Sequence, residues 1–164
     1  MKLAKTIRLD VSDSQIFPLA AEPGEWAIAG TFAYVDKDVA ALGGKDAIAF
    51  KSGWLGLGSF GRATLVQVAV IPDTEYELCV RQLAEHLYSA FGAPDMLAAL
   101  DAARHELDDM AALCAHPSAT LLAIGRQAQV DGIAEQVRII PQPDADHHAR
   151  IWEIEETDET EEIQ

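Results

Sequence analysis

The sequence predicts an α+β fold: a mostly antiparallel sheet with a two-helix antiparallel hairpin packed on one face. Three observations carry this. Alternating, β-rich segments lie near the N-terminus and again before position 72, two stretches with helical periodicity follow, and a second alternating pair closes the folded part. Strands, a helix pair and strands again, in that order, is a layered α+β arrangement.

The first strands are "KTIRLDVSD" (5–13) and "EWAIAGTFAYV" (25–35), and the "AAEPGE" between them holds the turn signal Pro23-Gly24. They predict a hairpin or a strand pair. The segment "KDVAALGGKDAIAFKSG" (37–53) reads as short helical turns broken at Gly43-Gly44. The strongest strand is "ATLVQVAVI" (63–71), where β-branched residues dominate and Pro72 closes the run.

A helix follows. Thr74 and Glu77 match a capping box, and Tyr76, Val80, Leu83, Leu87 and Phe91 recur at helical spacing until Gly92. Pro94 suits the first turn of a second helix, with Leu97, Leu100, Ala103, Leu107, Met110 and Cys114 on one face and Pro117 after it. The short joint makes the two helices antiparallel neighbours. "ATLLAIGRQAQ" (119–129) and "IAEQVRIIP" (133–141) flank Val130-Asp131-Gly132 and predict a β-hairpin. With 28 alanines in the chain, elements are expected to pack closely through small side chains.

Residues 1–152 are expected to form one domain, and residues 153–164 an acidic, solvated tail in which seven of twelve residues are Asp or Glu. The formal net charge of -15 argues against nucleic acid, whose binders take most of their affinity from Lys and Arg. Arg8, Asp10 and Asp13 interrupt the N-terminal stretch where a signal peptide needs apolar residues, and no run suits a membrane span. A cytoplasmic protein without a membrane partner is expected.

"LGLGSFGRATLVQV" (55–68) carries GxGxxG and locally resembles the protein kinase glycine-rich loop. A kinase also needs a strand lysine, a catalytic-loop Asp and Asn and the metal-binding Asp of DFG, but no lysine follows Lys51 and both HRD and DFG are missing. The dinucleotide fingerprint opens a helix, whereas here a strand follows. The preferred reading is structural: Gly53, Gly56, Gly58 and Gly61 let the chain turn sharply into its strand while Trp54, Leu55, Leu57 and Phe60 pack inward. If a small molecule binds here, Trp26, Trp54, Gly56, Gly58, Gly61 and Arg62 are the candidate ligand-binding residues.

Other chemistry is thinner. "RHELDD" (104–109) lacks the second histidine of HExxH, so Asp101, His105, Asp108 and Asp109 read as a solvated helix face. In "DADHH", Asp144, Asp146, His147 and His148 are weak metal candidates, since neighbours on an extended segment diverge. Ser59 is not in a nucleophile elbow, and Cys79 and Cys114 read as buried free thiols. No catalytic residue is nominated and no cofactor is expected.

Taken together, "KTIRLDVSDSQIF", "AAEPGEWAIAGTFAY", "GWLGLGSFGRATLVQV" and "FGAPDMLAALDAARHELDDMAALCAHPSATLLAI" resemble a family of small, functionally uncharacterised alphaproteobacterial proteins. The resemblance covers most of the chain outside the tail. It implies an accessory role, in redox-enzyme assembly, and brings no activity, ligand or catalytic residue. The leading expectation is therefore a protein-interaction function with another protein as partner. The alternatives are a small-molecule binder or enzyme with a pocket beside Gly53–Gly61, and a structural homo-oligomer using Trp54 or Ile151-Trp152.

Overall fold

The computed structural model describes residues 1–8 and 12–141. Seven strands, β1 (Lys2–Ile7), β2 (Trp26–Ile28), β3 (Trp54–Gly56), β4 (Arg62–Ala63), β5 (Leu65–Val70), β6 (Leu121–Gln129) and β7 (Gly132–Ile140), form one antiparallel sheet in the order β4-β3-β2-β1-β5-β6-β7. The central strand β1 (Lys2–Ile7) lies between β2 (Trp26–Ile28) and β5 (Leu65–Val70). Ala4 opposes Ala27 on one side and Val68 on the other, and Val66 opposes Leu122 on β6 (Leu121–Gln129). Residues directly opposed across a ladder share a face, so these buried side chains make one continuous inner row.

Against that row packs the helix hairpin, α3 (Asp73–Ala90) and α4 (Met96–Leu113), with α4 touching β1 and β2. Helix α3 buries Tyr76, Val80, Leu83 and Leu87, and α4 buries Ala99, Ala103, Leu107 and Met110. Alanines on both sides of this interface allow the close approach that the composition implied. Two shorter helices, α1 (Ser12–Ile16) and α2 (Gly44–Ser52), precede β3 (Trp54–Gly56) and β4 (Arg62–Ala63).

Several expectations need correction. The segment 25–35 is a strand only over Trp26–Ile28; Gly30, at φ 73°, turns the chain, and Thr31–Tyr34 form a 3-10 turn. A side chain at Gly30 would put its Cβ 2.5 Å from that of Leu55, so the break is built into the packing. The first strand starts earlier than periodicity suggested and ends at Ile7.

The Thr74/Glu77 capping box does not form. Pro72 precedes the helix without a capping side chain, and Glu77 instead makes a two-pronged ion pair with Arg104 of α4 at 2.7 and 2.9 Å. At the second helix the cap is Asp95, whose carboxylate accepts from the Ala98 amide at 2.8 Å, with Pro94 just outside. Leu97, placed on the buried face by periodicity, is 80% exposed; Ala99 is the buried first-turn residue. The final hairpin is as predicted: Gln129 pairs with Gly132 across Val130-Asp131, joining β6 to β7 (Gly132–Ile140).

The two sheet edges differ. The outer side of β4 is covered by the preceding chain, since the Arg62 amide donates to Leu19 O at 2.8 Å and the Ala21 amide to Arg62 O at 2.9 Å. At the other end β7 pairs with β6 and, among the described residues, with no further strand. No described helix is long and apolar enough to cross a membrane.

Candidate functional site

The glycine segment forms the tight β3–β4 connection. Leu57 hangs on β2 through its amide, which donates to Trp26 O at 2.8 Å, and the Gly56 amide closes the loop on Gly61 O at 2.9 Å. Gly56 and Gly61 have little room for a side chain. A Cβ on Gly56 would lie 2.5 Å from Glu25 Oε1, and one on Gly61 would lie 2.5 Å from the Ala20 carbonyl carbon. Phe60 takes φ 57°, a left-handed conformation rare for a bulky residue, and stacks on His86 of α3 with ring centroids 3.7 Å apart.

The loop amides do converge, but on a carboxylate of the same chain. Glu25 accepts from the Gly58 amide at 2.8 Å, the Ser59 amide at 2.7 Å and the Ser59 hydroxyl at 2.7 Å through its two oxygens. Successive N–H groups in such a turn make an anion-binding concavity, and here the anion is Glu25. Thr6 holds it in register: its hydroxyl accepts from the Glu25 amide at 3.0 Å and donates to Glu22 O at 2.6 Å. Burial raises the Glu25 carboxyl, while hydrogen bonds from Ser59, Glu22 and Gly58 lower it, and the net displacement is downward.

Arg62, at the far end of the loop, is buried and points away from that nest. Its guanidinium donates to Gly53 O at 3.1 Å and Gly30 O at 3.2 Å and lies 5.0 Å from the Tyr34 ring. Beside it is a second buried guanidinium, Arg126 of β6. Arg126 donates from Nε to Thr31 Oγ1 at 2.7 Å, from Nη1 to the Phe50 and Ala49 carbonyls, and from Nη2 to Gly53 O at 3.0 Å and Ala29 O. All five of its N–H groups are thereby used, two of them on carbonyls of the last turn of α2, of which Ala49 O also accepts from the Gly53 amide at 3.0 Å. Burial lowers the affinity of both guanidiniums for their proton, that of Arg126 to about 10 with the charge of Arg62 as the next cause. These two residues tie β4, β6, α2 and the Gly30 turn together.

The sequence-nominated ligand residues therefore do not converge on one place, Arg62 lying with Arg126. Gly56 and Gly58 border Glu25, while Gly61 packs on Ala20. Trp26 lies under the Lys5 ammonium, 4.6 Å away, and donates from its indole to Glu75 at 3.0 Å. Trp54 is fully buried and donates to Leu122 O at 3.2 Å, so it offers no contact for a second copy of the chain. Asp144, Asp146, His147, His148 and Ile151-Trp152 lie outside the described residues. His105 and Asp101 are exposed, 3.7 Å apart, as the solvated-face reading expects. Among the described residues no group of three or more His, Cys, Asp or Glu could hold a metal ion.

Sequence reasoning missed Glu25, Tyr34 and Arg126. A glutamate beside Pro-Gly reads as turn polarity, and nothing local shows that it will face residues 58 and 59. Arg126 had a faint signal, a lone cation within an otherwise apolar and small stretch of strand.

The model of a family of unknown function, DUF6505, matches residues 1–155. The chain belongs to that family. No curated protein and no solved structure matches it. Family membership thus spans the whole described fold and assigns no role to its residues.

Two surface cavities accompany the family's glycine loop and sheet edge. One, of about 270 Å³, lies between the loop and α3, with Gln82, Glu85, His86 and Ser89 on the helix side. The second, of about 300 Å³, lies between the Thr31–Tyr34 turn, the C-terminal half of α4 and β7. Its inner residues include Phe32, Met110 and Leu113, and Glu106, Asp109 and Glu135 supply carboxylates.

Proposed function

We propose that this protein is a cytoplasmic accessory protein that works by holding another protein, in the setting of redox-enzyme assembly. The observation that carries the reading is the asymmetry of the sheet. One edge is covered by residues 19–21, whereas the nine-residue β7 has, among the described residues, no strand on its outer side. Long bare edges are places where a partner strand adds by main-chain hydrogen bonds, and monomeric proteins ordinarily blunt them. The net charge of -15 favours partners with basic segments and speeds their encounter.

The test is affinity purification of the tagged protein at native expression from its own host, with mass spectrometry of what stays bound. One stoichiometric partner, lost when β7 carries Val137→Pro, is the expected result. A clean, partner-free protein would sink the reading.

A second reading, a small-molecule binder, is favoured by one observation, the polar cavity between the glycine loop and His86. The nest itself is filled by Glu25, so a ligand would have to rest on the Phe60–His86 stack. A thermal-shift screen of metabolites repeated on His86→Ala decides it: no stabilising compound, or one that stabilises both proteins equally, removes this site.

A further inference from the structure

We propose that the cleft between the Thr31–Tyr34 turn, α4 and β7 is the docking site for a partner segment that inserts an arginine side chain flanked by apolar residues. This deepens the protein-interaction reading and rests on it. The cleft holds about 300 Å³, and Phe32, Met110 and Leu113 give it an apolar lining, with Val35 beside them 69% exposed. An exposed valine continuous with such a lining is apolar surface that a partner can cover.

Charge complementarity selects the occupant. Three carboxylates line the cleft, Glu106 and Asp109 from α4 and Glu135 from β7. Among the described residues none of the three is in an ion pair with Lys or Arg, whose recorded pair is Arg104 with Glu77. Arg126 stands opposite Glu135 in the β6–β7 register and feels its charge, yet its N–H groups are spent on Thr31 and on backbone carbonyls. Thr31 joins the two, accepting from Arg126 and donating to the Glu135 carboxylate, which fixes that carboxylate in place. Burial and then the negative charges of Asp109 and Glu135 push the Glu106 carboxyl upward, against a smaller opposing pull from His105.

An arginine satisfies both halves of this cleft. Its methylene stem can lie on Phe32, Met110 and Leu113 while the planar guanidinium meets carboxylates in two-pronged geometry, which a lysine ammonium does not match. Apolar neighbours on the same segment would cover Val35.

The test uses the full chain and a fluorescein-labelled peptide alternating leucine and arginine, with matched peptides carrying lysine or glutamine in place of arginine. Saturable binding is expected, tightest for the arginine peptide, and weakened about tenfold by Asp109→Lys or Val35→Asn, both at exposed positions. Glu85→Lys, an exposed charge change on α3, should alter it less than about twofold, within the spread of a surface charge. Equal weakening by Asp109→Lys and Glu85→Lys, equal affinity for the glutamine peptide, or no binding would each overturn the assignment. Purification from the host separates the two levels. A partner held equally by the wild type and Asp109→Lys overturns the cleft and leaves the accessory reading standing, whereas no partner for the wild type removes that reading and leaves the peptide titration to decide the cleft.

Discussion

The Glu25 carboxylate receives the backbone amide of Ser59 at 2.7 Å, in the place where a glycine loop of this spacing would hold a phosphate. The loop is thus an internal clamp between the first turn and the β3–β4 connection. Glu25→Gln keeps one acceptor oxygen and loses the charge, and is expected to cost about 1–2 kcal/mol in urea unfolding at pH 7. The pH dependence follows from a folded carboxyl held below its usual value. The clamp's charged contribution is fully present above the unfolded pKa and is lost as pH falls through the folded one. The gap between wild type and Glu25→Gln should therefore narrow progressively below about pH 4.5. A gap unchanged down to pH 3 would show that charge at Glu25 contributes nothing.

Gly30 and Gly24 form a matched pair for separating backbone strain from crowding. Both have positive φ, 73° and 86°, but a Cβ at Gly30 would sit 2.5 Å from Leu55 Cβ, and one at Gly24 meets nothing within 4 Å. Gly24→Ala should lose about 1 kcal/mol from conformation alone, and Gly30→Ala at least about 2 kcal/mol more because the β2–β3 packing must open. Equal losses by chemical denaturation would mean that the Leu55 contact relaxes freely.

These positions also show what the sequence could reveal. Helix α3, the β6–β7 hairpin and β5 were legible because their signals are local: a 3.6-residue period, a short turn and a β-branched run. The glycine loop was legible as a turn for the same reason. Its partner was not, since Glu25 and Ser59 are 34 positions apart and only the β2–β3 pairing brings them together. Arg126 and Gly53 are likewise 73 apart. The capping box failed because the helix begins earlier than the pattern placed it: Pro72 is the N-cap and Thr74 lies inside the first turn, and Glu77 pairs with Arg104 across the helix interface.

Arg126 should be the least replaceable polar residue in the chain. Arg126→Lys keeps a cation but can satisfy fewer of the five acceptors; Gly53 O keeps Arg62 and Ala49 O keeps the Gly53 amide, so the loss falls mainly on the buried Phe50 carbonyl and on Thr31. A buried acceptor left unmet costs about 1–3 kcal/mol, so a loss of about 2–3 kcal/mol is expected by urea unfolding. Arg126→Met, similar in length and uncharged, should do no better, because the acceptors are still unmet. A methionine variant as stable as the wild type would mean that water replaces the guanidinium at no cost.

Cys79 on α3 and Cys114 at the end of α4 are both buried and unpaired, and burial pushes their thiols up to about 11 and about 12. Thiol reagents attack the thiolate, so at pH 8 both reactivity and access are suppressed in the folded protein. With Ellman's reagent, the native protein should release almost no chromophore over minutes, and two equivalents should appear at once in guanidinium. Because both residues lie in the hydrophobic core shared by the helices and the sheet, their exposure requires that core to open. The slow native reaction should therefore follow the unfolding equilibrium and accelerate in Gly30→Ala by the same factor as the loss of stability. Fast reaction of one cysteine alone would instead reveal a hairpin that opens without the rest of the fold.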